Sequence, residues 1–353
     1  MKLPGLFVMA LLVIAAPAQA GHQVGHGLTN GAPANAFASD FTPPQDEERA
    51  WPLGGFGGES AGKQLTYNPV IFIHGNGSDA TFWDVGAEVS PTTLKVRRVF
   101  REAGYADQEI WAVSYNGAGC SNTTTCGTAN DINTTDIFRF IESVRNYTLS
   151  EKVDIVAHSL GVTIVRKAIK QHPELLQQIE DMVLIAGANH GTTACKGFET
   201  IYYGCDEIAP GTPWLADLNA WNPKGEGDET PGPIRYMTVY DGSGTSDNFF
   251  LTDEAQSPAL SGAFDNHQLP GELHLALARG QKALDVYLPF LKSNNVLARL
   301  LRAPLINVDT GRAGTKKPLA STGSFDYRWG ILLIALAAAL AIFNDALSRG
   351  ERT

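Results

Sequence analysis

Residues 153–169 read VDIVAHSLGVTIVRKAI. A largely apolar run, Val153 to Ala157, stops at His158-Ser159-Leu160-Gly161, and a helical pattern starts at once. A short continuous apolar run fits a strand covered on both faces rather than on one. A helix that follows without a linker has to fold back over the sheet. The same alternation recurs along the chain. Apolar runs at Pro69–Ile73, Glu109–Tyr115, Met182–Ala186 and Ile234–Tyr240 predict four more strands. Ile137, Phe140, Ile141 and Val144 keep the i, i+3, i+4, i+7 spacing of a helix, and Ser159 to Lys170 predicts another. Leu273 to Leu288 reads as a third, with Pro289 as its expected stop. Strands alternating with helices predict a mostly parallel sheet with helices on both faces. With 353 residues, 44 % of them hydrophobic, the chain can bury such a core and still have segments left over.

Those segments lie at the two ends. Met1 to Ala20 has Lys2, an apolar stretch and then Ala18-Gln19-Ala20, the layout of a signal peptide with a small-residue cleavage site. Residues 1–20 are therefore expected to be a leader, and the protein to be exported to the cell envelope or beyond. Residues 21–68 are rich in Gly, Ala and Pro and read as an N-terminal arm. Residues 69–292 hold the α/β domain, 293–327 a polar linker, and 328–353 a membrane segment with a short tail. Trp329 to Phe343 is uncharged throughout. As a helix it spans about 22 Å, against about 30 Å of bilayer hydrocarbon. Tyr327 and Trp329 sit at one edge, as interfacial aromatics do. A thin C-terminal anchor or a removable sorting signal is expected. The net charge of −10, without a basic stripe, argues against nucleic acid as a partner. In an exported chain the four cysteines are expected to pair, most simply as Cys120–Cys126 and Cys195–Cys205, although three connectivities are open. Nothing has the spacing of a zinc site, so no metal is expected.

The chemistry starts from Ser159. A sharp strand-to-helix turn lifts its hydroxyl out of the packed layer, beyond the carboxyl ends of the strands where such sheets bind ligands. Ala157 stands where the G-x-S-x-G pattern has its first glycine, and Gly161 supplies the second. Ser159 as a plain helix N-cap is the alternative. A serine hydroxyl needs a base to take its proton, and the base needs a carboxylate to orient it. On this kind of sheet the chain order is serine, acid, histidine. The loop after the strand Ile234–Tyr240 holds two acids, Asp241 and Asp247. Asp247 is the expected one, because the loop must project past the strand end; Asp241 before a glycine suits a turn. His172 and His190 precede the acid and break the order. His274, in a loop that opens a helix, is the expected base, with His267, in a polar loop, as the alternative. Two N–H donors for an oxyanion are expected at Leu160, just after the serine, and at Asn76 in the loop His74-Gly75-Asn76-Gly77-Ser78.

Four stretches, PVIFIHGNGSDATFW, VDIVAHSLGVTIVRKAI, LIAGANHGTTAC and PWLADLN, resemble the class 2 lipase family of α/β-hydrolases. They are also similar to small bacterial lipases and to an extracellular polyhydroxyalkanoate depolymerase. The resemblance covers roughly Pro69 to Leu291. It implies an α/β-hydrolase fold and cofactor-free hydrolysis of carboxylic esters of lipids, with Ser159 as nucleophile, His274 as base and the acid in the loop ending at Asp247. The insert from Thr192 to Pro233 departs from a minimal lipase. A lipase is therefore expected, with a polyester depolymerase as the alternative substrate class. A catalytically silent surface-binding protein of the same fold is the reading from another class.

Overall fold

The computed structural model describes residues 35–47, 52–58, 65–76, 78–87, 90–115, 129–195, 207–221 and 228–302. The expected leader, Cys120, Cys126, Cys205 and the segment Trp329–Phe343 lie outside these residues. Cys195 ends a short 3-10 turn, Thr193–Cys195, and its proposed pairing lies outside them too. Among the described residues no helix is long and apolar enough to cross a membrane.

The strands are β1 (Asn35–Phe37), β2 (Gly54–Gly57), β3 (Val70–Ile73), β4 (Ile110–Ser114), β5 (Val153–His158), β6 (Ile179–Ile185), β7 (Arg235–Tyr240) and β8 (Asp265–Gln268). The helices are α1 (Val96–Glu102), α2 (Ala129–Thr148), α3 (Leu160–Gln171), α4 (Leu175–Gln178), α5 (Pro213–Asn219), α6 (His274–Arg279) and α7 (Gln281–Arg302). The eight strands form one sheet in the order β1-β2-β4-β3-β5-β6-β7-β8. Every pair is parallel except β2 with β4. This is the mostly parallel sheet alternating with helices that the apolar runs predict, in the α/β-hydrolase arrangement that the resemblance implies. β3, β4 and β5 are buried throughout, as strands covered on both faces must be. Successive side chains of β3 meet different layers. Phe72 packs edge-on against Phe100 of α1, while Ile73 lies against Gly161 of α3. The chain leaves β3 for β4 on one side and returns to β5 on the other. The loops after β3 and β5 therefore leave the sheet at its switch point, beyond the carboxyl ends of the strands, the usual ligand site of such a sheet.

Three sequence expectations are corrected. The arm at residues 21–68 supplies β1 and β2, so the folded unit starts well before residue 69. Phe37 and Phe41 pack among Trp111, Phe140 and Tyr147, which fastens the arm to β4 and α2. Three residues in β1 and a mostly glycine β2 carry no periodic signal, which is why this stretch reads as irregular. The expected helix Leu273–Leu288 is two helices, broken where Gly280 takes an extended conformation. The second runs through Pro289 to Arg302, so the linker does not begin at 293. An interior proline costs about 3 kcal/mol in a bare helix. Here Tyr287, Phe290 and Leu291 bury beside it and offset that cost. Third, His267 lies not in a loop but on β8, an edge strand of sequence DNHQ that has no apolar run to announce it.

Candidate active site

Ser159 is the single residue between β5 and α3, with φ 56° and ψ −128°. Positive φ is rare for a residue with a Cβ and costs on the order of 1–3 kcal/mol unless the surroundings enforce it. The surroundings here are the buried strands β5 and β6 and the first turn of α3. The Ser159 N–H donates to Ile185 at the end of β6, and its carbonyl accepts from Val162 in the first turn of α3. Its side chain makes no capping hydrogen bond, which sets aside the N-cap alternative. Gly161 is required by proximity, since a Cβ there would stand 2.3 Å from the carbonyl oxygen of His74. Gly75 is required in the same way from the other side, because its Cβ would lie 2.7 Å from that of Ser159. The loop after β3 thus rests directly on the serine. Asn76 follows as an exposed turn residue, and Leu160 is buried as the first residue of α3.

The loop after β3 is fastened by its own histidine. His74 is buried and stacks on Tyr115, ring centroids 4.1 Å apart. Its Nε2 accepts the Tyr115 N–H at 3.3 Å, so Nδ1 carries the proton and donates to the Gly75 carbonyl at 2.8 Å.

His274 and Asp247 meet although 27 residues separate them. Nδ1 of His274 stands 3.0 and 2.9 Å from the two carboxylate oxygens of Asp247. Asp247 is 1 % exposed and His274 7 %. Asp247 also accepts the Phe249 N–H at 3.0 Å. The Phe249 ring tilts against the imidazole, with centroids 4.4 Å apart. His158 approaches the same group from the Ser159 side. Its Nε2 donates to the His274 carbonyl at 3.1 Å, and the two rings lie 4.6 Å apart. Burial drives the His158 pKa well below its ordinary value; the neighbouring His274, Arg279 and His74 push the same way, outweighing the bond to His274. His158 is therefore a neutral donor that grips the backbone of His274. His158 and its contact were not legible in sequence, although its place beside the serine was the available signal.

The other candidates fall elsewhere. His267 pairs with Asp265 at 3.3 Å on β8. His172 stacks on Phe138. His190 bonds to Glu229 and to the Ser257 carbonyl. Asp241 faces loop donors and not a histidine. Of the aromatic residues, Phe82 and Trp83 are core, whereas Phe249 is 41 % exposed beside His274. Leu251 is exposed on the loop that carries the acid, and Leu273 and Leu275 are exposed on either side of His274 at the start of α6. Beside Phe249 a cleft of about 300 Å³ runs between Thr193 and Glu254. No group of residues suited to hold a metal occurs among the described residues.

Comparisons with known proteins agree with the resemblance read from the motifs. Residues 67–230 match the family described as lipase (class 2). That match stops before Asp247 and His274, so their pairing is an observation of the structure alone. A sequence search of curated proteins finds no match. Among solved structures the chain is similar to the mature Bacillus licheniformis lipase BlEst2, at 14 % identity and TM-score 0.48, covering 67 % of this chain and 97 % of that one. It is similar to Aspergillus fumigatus lipase B at 14 % identity and TM-score 0.46, covering 64 % of this chain and 52 % of the other, about half its length. A third is the Bacillus subtilis carboxylesterase CesB, at 14 % identity and TM-score 0.37, with 68 % and 92 % covered.

Proposed function

We propose that this chain, lipase-like over residues 67–230, is an exported serine hydrolase that cleaves carboxylic esters of lipids through an acyl-enzyme. Ser159 attacks the ester carbonyl. His274 accepts its proton at Nε2, which is free to do so because Nδ1 faces both oxygens of Asp247. Asp247 fixes that tautomer and stabilises the imidazolium as it forms. The N–H groups of Leu160 and Asn76 receive the charge that develops on the carbonyl oxygen. His274 then protonates the departing alcohol. Water, activated by the same imidazole, releases the acid.

The observation that carries this reading is the buried Asp247–His274 pair, in the order expected after a serine held at positive φ. The exposed Phe249 and Leu251 support an apolar substrate. They suit an acyl chain and a polyester surface equally, so a polyester depolymerase is the second reading. Export rests on the sequence of residues 1–20, and association with a membrane on Trp329–Phe343. The test is a panel of p-nitrophenyl esters, emulsified triglyceride and polyhydroxybutyrate film, given to the wild type and to Ser159→Ala. Turnover of triglyceride that is lost in Ser159→Ala is the expected result. Turnover of the film alone moves the substrate to polyester. Equal activity of the two proteins on any of these substrates removes Ser159 as nucleophile.

A further inference from the structure

Asp241 ends the strand β7 and begins the loop that reaches Asp247. Its carboxylate is buried, yet it does not face His274. Oδ1 accepts the Gly271 N–H at 2.7 Å, across 30 residues of sequence. Oδ2 accepts the N–H groups of Thr245 at 3.3 Å and Ser246 at 3.2 Å. The Ser243 hydroxyl spans both oxygens at 2.7 and 2.8 Å. Ser246 immediately precedes Asp247, and Gly271 lies three residues before His274. One carboxylate therefore holds the approaches to both members of the acid–base pair. Each loop has further bonds of its own, such as Thr252 N–H to the Gly244 carbonyl and Gln256 to the Gly242 carbonyl, but the Asp241–Gly271 bond ties one loop to the other ahead of the Asp247–His274 pair. Gly242, Gly244 and Gly271 all sit at positive φ, which glycine adopts readily and without steric locking, so these turns need restraint from elsewhere. Hydrogen bonds to an ionised, buried acceptor are about twice as strong as neutral ones, so they can supply it. Burial opposes the charge, but the Ser243 hydroxyl and the N–H groups of Gly271, Ser246 and Thr245 outweigh it and hold the carboxyl below its usual range.

We propose that Asp241 is a positioning residue that sets the distance between Asp247 and His274 by clamping the acid loop and the histidine loop on one carboxylate. The role rests on reading Asp247 and His274 as acid and base. It goes beyond that reading in giving Asp241 an effect on turnover without contact with substrate. A shift of about 1 Å in a reacting group can cost on the order of 100-fold in rate. The clamp bonds to no residue of the apolar surface around Phe249, so its loss is expected in kcat rather than in KM.

The experiment measures kcat and KM on p-nitrophenyl butyrate for the full chain carrying Asp241→Ala, Asp241→Asn or Asp247→Asn, well below each variant's Tm. Asp241→Ala is expected to lower kcat by about 10- to 100-fold with KM within about threefold of wild type. Asp241→Asn keeps an acceptor for Gly271 but turns an N–H₂ toward Thr245 and Ser246, so it should recover part of that loss. Asp247→Asn should lose more than either. A folded Asp241→Ala protein that loses Tm but keeps wild-type kcat overturns the clamp and leaves the Asp247 assignment standing. A loss in Asp241→Asn as large as that in Asp247→Asn overturns both, because Asp241 would then act as the acid. Should Asp241→Ala fail to fold, Asp241→Asn decides alone: reduced kcat at unchanged KM supports the clamp, and wild-type kcat refutes it.

Discussion

At the scale of single residues, the site depends on places where side chains are absent as much as on those where they are present. Gly161 touches the His74 carbonyl from α3, and Gly75 touches Ser159 from the loop after β3. Gly161→Ala needs about 1 Å of extra room between backbone and Cβ, which packed elements cannot give without shifting. We expect it to move the β3 loop away from Ser159, lowering kcat by at least about 10-fold with a modest loss of Tm. Steady-state kinetics with a thermal melt checks this, and wild-type kcat would contradict the packing account. The serine, its turn and the two glycines were legible in the sequence because local geometry demands particular residues there. Asp247 was legible only by chain order and loop reach, and His274 only by chain order and its place at the opening of a helix. The role of Asp241 was not legible, since a carboxylate before a glycine looks the same whether it makes a turn or ties two loops. The grip of His158 on His274 was hidden for a related reason, as the two meet across 116 residues.

At the scale of elements, the buried strands declared themselves because each is apolar on both faces, and their order followed from alternation with helices. The elements that escaped are those at the sheet edges. β1 is only three residues long, β2 is mostly glycine, and β8 is polar with no fully buried residue. The split between α6 and α7 escaped because Gly280 interrupts a leucine spacing that continues on both sides. One tie between elements is set by protonation. His190, in the loop after β6, bonds through Nε2 to Glu229 just before β7, at 2.8 Å. That bond raises the His190 pKa although burial opposes it. Burial also opposes the Glu229 charge, but the bonds from His190 and from the Ser261 N–H, with the charges of His190 and Arg166, hold its pKa down. The histidine part of the stabilisation is complete below about pH 6.5 and is lost as pH rises through the raised folded value. The glutamate part is complete above about pH 4.3 and is lost as pH falls through the lowered folded value. The tie is therefore strongest between those limits. The Tm difference between wild type and His190→Gln should be largest near pH 5–6 and fade by about pH 9. A difference independent of pH would show that the pair contributes by packing alone.

At the scale of the whole molecule, the hydrolase unit is one half of the account and the chain ends are the other. Trp329–Phe343 has no charge, and fifteen residues, if helical, would fall short of a full bilayer. We expect the full-length chain to partition with membranes, or to lose its C-terminus, while a chain ending at Ser324 stays in the soluble fraction. Equal solubility of both, with the C-terminus intact by mass spectrometry, would refute this. The central claim is that one serine, activated by His274 and Asp247, performs the chemistry of the entire chain. The direct measurement is the intact mass of the protein after treatment with a fluorophosphonate, followed by peptide mapping. A single adduct on the peptide that carries Ser159, absent from His274→Ala, is the predicted result. An unlabelled wild type, or an adduct on any other residue, would contradict it.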